Sequence, residues 1–130
     1  MILTIDHASP EPLYLQIRSQ VVAAIAREEL RPGDRLPTVR ALASDLGINL
    51  HTVNKAYALL RDEGLLVIRG RNGAHVADFA QTATAATHEE GGLRLAEALR
   101  QLAIEHRARG GTMESFLESA RTQAEQIFSN

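Results

Sequence analysis

The chain has no cysteine. That excludes disulfides, a thiol nucleophile and any cysteine-based zinc site. No apolar run approaches the ~20 residues that a membrane span needs. Met1–Asp6 is short and carries no basic n-region, so no signal peptide is expected; a cytoplasmic location is expected, with which the lack of cysteine is compatible. Catalytic signatures are missing too. No glycine-rich phosphate loop follows a strand, and there is no nucleophile elbow or HExxH motif. Glu28-Glu29 and Asp62-Glu63 read as charged helix ends rather than acid–base pairs. No enzyme, cofactor or metal is expected. A surplus of positive charge is lacking as well: the net charge is −2, which at first sight disfavours nucleic acid.

The distribution of charge matters more than its sum. Arg35–Arg71 holds six basic residues against three acidic ones, whereas the chain after Gln81 holds five against seven. The positive excess therefore sits on one stretch, within which Leu36–Leu65 reads LPTVRALASDLGINLHTVNKAYALLRDEGL. Its periodicity predicts two helices. The first spans about Thr38–Leu46, stopped by Gly47, with Val39, Leu42, Ala43 and Leu46 on one face. The second runs from near Asn49 to Glu63, with Val53, Ala56, Tyr57 and Leu60 on one face and Gly64 as its cap. This is the spacing of a helix-turn-helix, whose second helix enters the major groove. Asn49, His51, Thr52, Asn54 and Lys55 would then offer donors and acceptors to bases and phosphates. On this pattern alone, a helical hairpin with a solvated polar face stays open.

The next residues narrow the choice. Leu65–Arg69 and Ala74–Ala77 are β-rich runs, and Asn72-Gly73 is a turn signal between them. They predict a hairpin with Arg69, Arg71, Asn72 and Gly73 at its tip. A helix-turn-helix followed by a basic hairpin is a winged helix, the wing lying along backbone or minor groove. Upstream, Pro12 suits the first turn of a helix running to about Glu29, with an apolar stripe of Leu13, Ile17, Val21 and Ile25. Met1–Pro10 is expected to be an extended arm and Arg31–Asp34 a turn; Arg35 just after it reads equally as a phosphate contact or as a solvated turn arginine.

Residues 79–92, rich in Ala and Thr and closing on Gly91-Gly92, read as a linker between domains at 1–78 and 93–130. Two helices are expected in the tail. Leu95, Leu99, Leu102 and His106 form a seam on the first, from about Leu93 to Arg109. Gly110-Gly111 ends it, and Thr112 caps the second. There Phe116, Leu117, Ala120, Ala124, Ile127 and Phe128, with Met113, form another stripe. Two short amphipathic helices cannot hide both stripes alone, so a homodimer through this hairpin is expected. Folding back onto the same chain's winged helix is the alternative.

The remaining histidines add little chemistry. His75 reads as a surface residue of the wing, and His88 beside Glu89 and Glu90 does not make a preformed metal site. His106 reads as a tolerated polar interface residue that can respond to pH.

The stretch PGDRLPTVRALASDLGINLHTVNKAYALLRDEGLL resembles the signature of GntR-type bacterial transcription regulators. The resemblance covers about residues 10–78 and rests on the PG turn, Leu36-Pro37, Arg40, Leu42-Ala43, Leu46-Gly47, Thr52-Val53, Ala56, Leu60 and Gly64-Leu65. Only about fifty residues follow the wing, which resembles the short YtrA-type branch with its two-helix dimerising tail. The resemblance implies that Arg40 contacts DNA from the first helix, that Thr52 stands at the start of the recognition helix, and that Asn49, His51, Asn54 and Lys55 fall at reading positions; Arg35 and Thr38 are further candidates for DNA contact. It also implies a repressor acting on a palindromic operator, often of ABC-transporter genes and its own operon. Fatty-acid-responsive members carry Arg where this chain has Leu50 and Asn54, so the operator does not carry over. The family's G-x-G-T-F-V wing becomes Arg71-Asn72-Gly73-Ala74-His75-Val76 here. The fold expected is mostly α, a winged helix-turn-helix followed by a helical dimerisation hairpin. The partners expected are double-stranded operator DNA, a second copy and an unidentified small-molecule effector, with no membrane. The rival from another class is a winged-helix module that binds protein instead of DNA.

Overall fold

The computed structural model describes residues 2–78 and 85–129, and only the backbone of 85–88. The chain divides into two compact units, Met1–Thr82 and Ala83–Asn130.

In the first unit, helix α1 (Leu13–Ala26) opens at Pro12, whose carbonyl accepts from the Leu15 and Gln16 amides. Pro12 is thus the cap rather than a residue of the first turn, and its missing N–H is harmless in either place. Ile17, Val21 and Ala24 give α1 its buried face. The helix stops at Ala26, short of Glu29, because Glu28 turns left-handed at φ 60°. The Glu28 and Glu29 amides then bond back to the Ile25 and Ala24 carbonyls, closing a Schellman turn without glycine. The N-terminal arm lies along α1. Gln16 and Gln20, one turn apart, exchange amide hydrogen bonds with the backbone of Asp6 and Thr4 at 2.7–2.9 Å.

Helix α2 (Val39–Leu46) is capped by the Thr38 hydroxyl, which accepts from the Ala41 amide at 3.1 Å. It ends at Gly47, where φ is 67° and a side chain would be strained. Helix α3 (Leu50–Asp62) follows at once. Its Val53, Ala56, Tyr57 and Leu60 are buried against α1 and against Leu42 and Ala43 of α2. The Tyr57 hydroxyl donates to the Pro37 carbonyl at 2.7 Å and so ties α3 to the entry of α2.

The wing is strand β1 (Leu66–Ile68) paired antiparallel with β2 (Ala74–Val76), Leu66 opposite Val76 and Ile68 opposite Ala74. The tip differs from a two-residue Asn72-Gly73 turn. It is a loop over residues 69–73 containing a 3-10 turn (Gly70–Asn72), closed by the Arg69 amide on the Gly73 carbonyl at 3.0 Å. Both Gly70 and Gly73 take positive φ, so the reversal starts earlier in the sequence. Residues 33–36 are also more than a turn. They pair along β2, with the Leu36 amide on the Ala74 carbonyl and the Val76 amide on the Asp34 carbonyl.

In the second unit, helix α4 (Ala85–Ala108) packs against helix α5 (Met113–Phe128) as a hairpin. The part of the expected linker at 79–84 lies outside the described residues. The part at 85–92 is helical, a correction to the linker reading: α4 begins well before Leu93 and passes through Gly91-Gly92. Each helical glycine costs about 1 kcal/mol against alanine. An ion pair from Glu90 to Arg94 at 2.8 Å spans the two glycines and offsets part of that cost. Gly110, at φ 90°, turns the chain, and Thr112 forms a reciprocal capping box with Ser115.

Candidate nucleic-acid interface

Asn49 fixes the start of α3. Its side-chain oxygen accepts from the His51 amide at 2.8 Å, so the first turn is pinned and that oxygen is engaged in the cap. Burial of Val53, Ala56, Tyr57 and Leu60 then decides which side chains face outward. Leu50, His51, Asn54 and Lys55 are exposed, and Thr52 is half-buried. Arg40 is exposed on the first turn of α2, beside the Thr38 cap. The structure thus brings His51, Asn54 and Lys55 together on one outward surface of α3. It gives Asn49 and Thr38 capping work as well.

Lys55 is not loose. Its ammonium sits 4.1 Å above the centroid of the Tyr14 ring, at the start of α1, a cation–π contact. Leu13, Tyr14, His51, Thr52 and Lys55 line a shallow notch there. Tyr14 was not among the residues singled out from the sequence. The available signal was an aromatic residue in the first turn of an otherwise aliphatic stripe.

The wing gathers Arg35, Arg69 and Asn72 around one cleft, with Arg71 exposed at the tip. Arg35 bridges to His75 across the strand edge, and its guanidinium lies close to Gly73. His75 faces two carbonyl oxygens, Asn72 at 2.9 Å and Gly33 at 3.4 Å. Among the described residues, ion pairs engage Arg18, Arg61 and Arg94. Arg35, Arg40, Lys55, Arg69 and Arg71 take part in none of these three pairs and are exposed. The Arg18 guanidinium is held above its ordinary value, chiefly by its hydrogen bonds to Glu63 across α1 and α3.

The tail residues form a separate set. Leu95, Leu99, Leu102, Leu117, Ile127 and Phe128 are exposed, as are Ala120 and Ala124. Leu93, Ile104 and Met113 are exposed with them. His106 and Phe116 are half-buried and face each other at 5.9 Å, with a His106 ring nitrogen 2.7 Å from the Ser115 hydroxyl. A groove of about 500 Å³ between α4 and α5 brings together Leu99, Leu102, His106, Phe116 and Ala120. No helix among the described residues is long and apolar enough to cross a membrane.

Comparison with known proteins agrees with this geometry. The family described as bacterial regulatory proteins, gntR family, matches residues 13–76. The HTH-type transcriptional regulator Rv1152 of Mycobacterium tuberculosis is 40% identical over 80 residues, which cover 62% of this chain and 66% of that protein. The HTH-type transcriptional repressor YtrA of Bacillus subtilis is 36% identical over 118 residues, 89% of this chain and 87% of that one. Among solved structures, YtrA of Sulfolobus acidocaldarius, a GntR-family transcription factor, superposes with a TM-score of 0.62 at 31% identity. It covers 98% of this chain and 100% of that one. The DNA-binding domain of AraR in complex with its operator ORX1 matches 59% of this chain and 99% of that one, with a TM-score of 0.54 at 27% identity. The chain therefore belongs to the GntR family and is a DNA-binding winged-helix transcription regulator, similar to YtrA over nearly its whole length, rather than an enzyme.

Proposed function

We propose that the chain is a repressor that binds a palindromic operator as a homodimer. The observation that carries this is the outward surface of α3. His51, Asn54 and Lys55 stand exposed on a capped, core-anchored helix, with the exposed cations Arg40, Arg69 and Arg71 in the same unit. Amide and imidazole groups suit base edges, and lysine and arginine suit phosphates. The net positive surplus on the motif is small, so one unit binds weakly and two are needed. The exposed leucines of α4 and α5 supply the contact between copies. Two recognition helices set ~34 Å apart read two half-sites, and the bound dimer blocks the promoter sterically. Relatives carry repressor names, and AraR is seen on operator DNA, which supports this reading. By the same resemblance, the controlled genes are those of an ABC transporter and the regulator's own operon. A small-molecule effector at the tail would act by changing the spacing of the two heads.

Fluorescence anisotropy against the gene's own upstream DNA and a scrambled duplex, over a salt series, tests the proposal. Binding that survives competitor with two subunits per site supports it. The competing assignment, a winged helix that binds protein, is separated by Arg40→Ala and Asn54→Ala. Loss of DNA affinity with assembly intact supports the repressor; unchanged affinity supports the competitor.

A further inference from the structure

Leu50 is the first residue of α3, and packing does not account for it. It is 41% exposed, whereas the apolar face of the same helix is buried through Val53, Ala56, Tyr57 and Leu60. The half-buried side chains that line the core nearby are Leu46 and Ile48, and Leu50 is not among them. It is instead held outward on the pinned first turn, one helical turn before Asn54 and beside His51. A large apolar group is thus displayed on the surface offered to base edges. The major groove presents one apolar group there, the C5-methyl of thymine.

We propose that Leu50 packs on the C5-methyl group of one thymine in each operator half-site. Asn54, on the same edge of the helix, has the paired donor and acceptor that match adenine. Together they make this edge of α3 a reader of neighbouring A·T pairs. The inference rests on the DNA-reading function proposed above.

The experiment begins by selecting duplexes from a random pool with the full chain. In the best duplex, each thymine is then replaced singly by deoxyuridine, which removes the methyl and leaves every hydrogen-bonding group in place. One thymine per half-site should respond, wild-type affinity falling about fourfold, as expected for one lost apolar carbon contact. Leu50→Ala should be weaker than wild type on the thymine duplex and indifferent to uracil at that position. If no uracil in a half-site weakens the wild-type chain, or if Leu50→Ala responds equally, the Leu50 assignment is overturned while DNA reading stands. If the pool yields no enriched sequence, the DNA-reading function fails and takes this assignment with it. Leu50 is exposed and lies outside the core cluster, so Leu50→Ala should keep the wild-type helical circular dichroism, which is checked before its uracil series is read.

Discussion

Asn49 and Asn54 are chemically identical side chains on one short stretch, yet the structure gives them different work. Asn49 caps α3 and Asn54 stands exposed. Asn49→Ala should therefore lower stability by about 1 kcal/mol in urea unfolding. Asn54→Ala should stay within about 0.5 kcal/mol of wild type while weakening operator binding about tenfold or more in anisotropy. Equal stability losses for the two would remove the distinction. Tyr57 supplies a second residue-scale expectation. Burial raises its hydroxyl from 10.0 to about 12. The phenol is neutral in both states below pH 10, so its full contribution to folding is present there. Above that the unfolded chain ionises first, and stability falls until about pH 12. Tyr57→Phe should cost about 1–2 kcal/mol at neutral pH, because the Pro37 carbonyl loses its donor. It should also lack the part of the alkaline decline that Tyr57 causes, as followed by unfolding midpoints across that window. The outward position of Asn54, His51 and Lys55 was legible from the 3.6-residue period alone. The Lys55–Tyr14 contact was not, since it depends on how α1 crosses α3, which no local pattern encodes.

At the scale of elements, helix ends were legible where glycine marks them and illegible where another residue takes the same conformation. Gly47, Gly64 and Gly110 each sit at positive φ at the end of a helix, as their positions in the sequence suggest. Glu28 does the same for α1, and nothing in its chemistry announces it. An L-residue there costs about 1–2 kcal/mol, part of which glycine would return as unfolded-chain entropy. Glu28→Gly should then stabilise the first unit by about 0.5–1 kcal/mol, read as a higher urea midpoint at unchanged slope. The wing was visible as two β-rich runs, but its third segment was not. The pairing of residues 33–36 with β2 joins stretches far apart in sequence. In the tail, the Gly91-Gly92 pair suggested a break that the structure replaces with continuous helix, the Glu90–Arg94 pair lying across it. Gly111 has a tighter constraint than Gly110. A Cβ on it would collide with the His106 ring, so Gly111→Ala should loosen the α4–α5 hairpin and lower its melting temperature by circular dichroism.

For the whole molecule, the contrast between the polar outward surface of α3 and the exposed apolar stripes of the tail was readable from charge and periodicity. Which tail side chains meet across the hairpin was not, because His106 and Phe116 face each other inside it. Leu102, exposed in the groove between α4 and α5, tests the proposed assembly. Leu102→Glu should give a monomer in sedimentation. The slope of log affinity against log salt should fall to about half, because one head contacts about half the phosphates. A variant that remains dimeric would place the interface elsewhere. No described side chain of α4 or α5 is fully buried within one chain, and the half-buried ones are Ala103, His106, Ser115 and Phe116, so the hairpin's own interior is slight. Under the proposed pairing, its folding and its assembly are one equilibrium governed by mass action, and dilution would act on it as a denaturant does. Copy number itself becomes an input: a regulator that represses its own operon would settle near the concentration at which its tails begin to find each other.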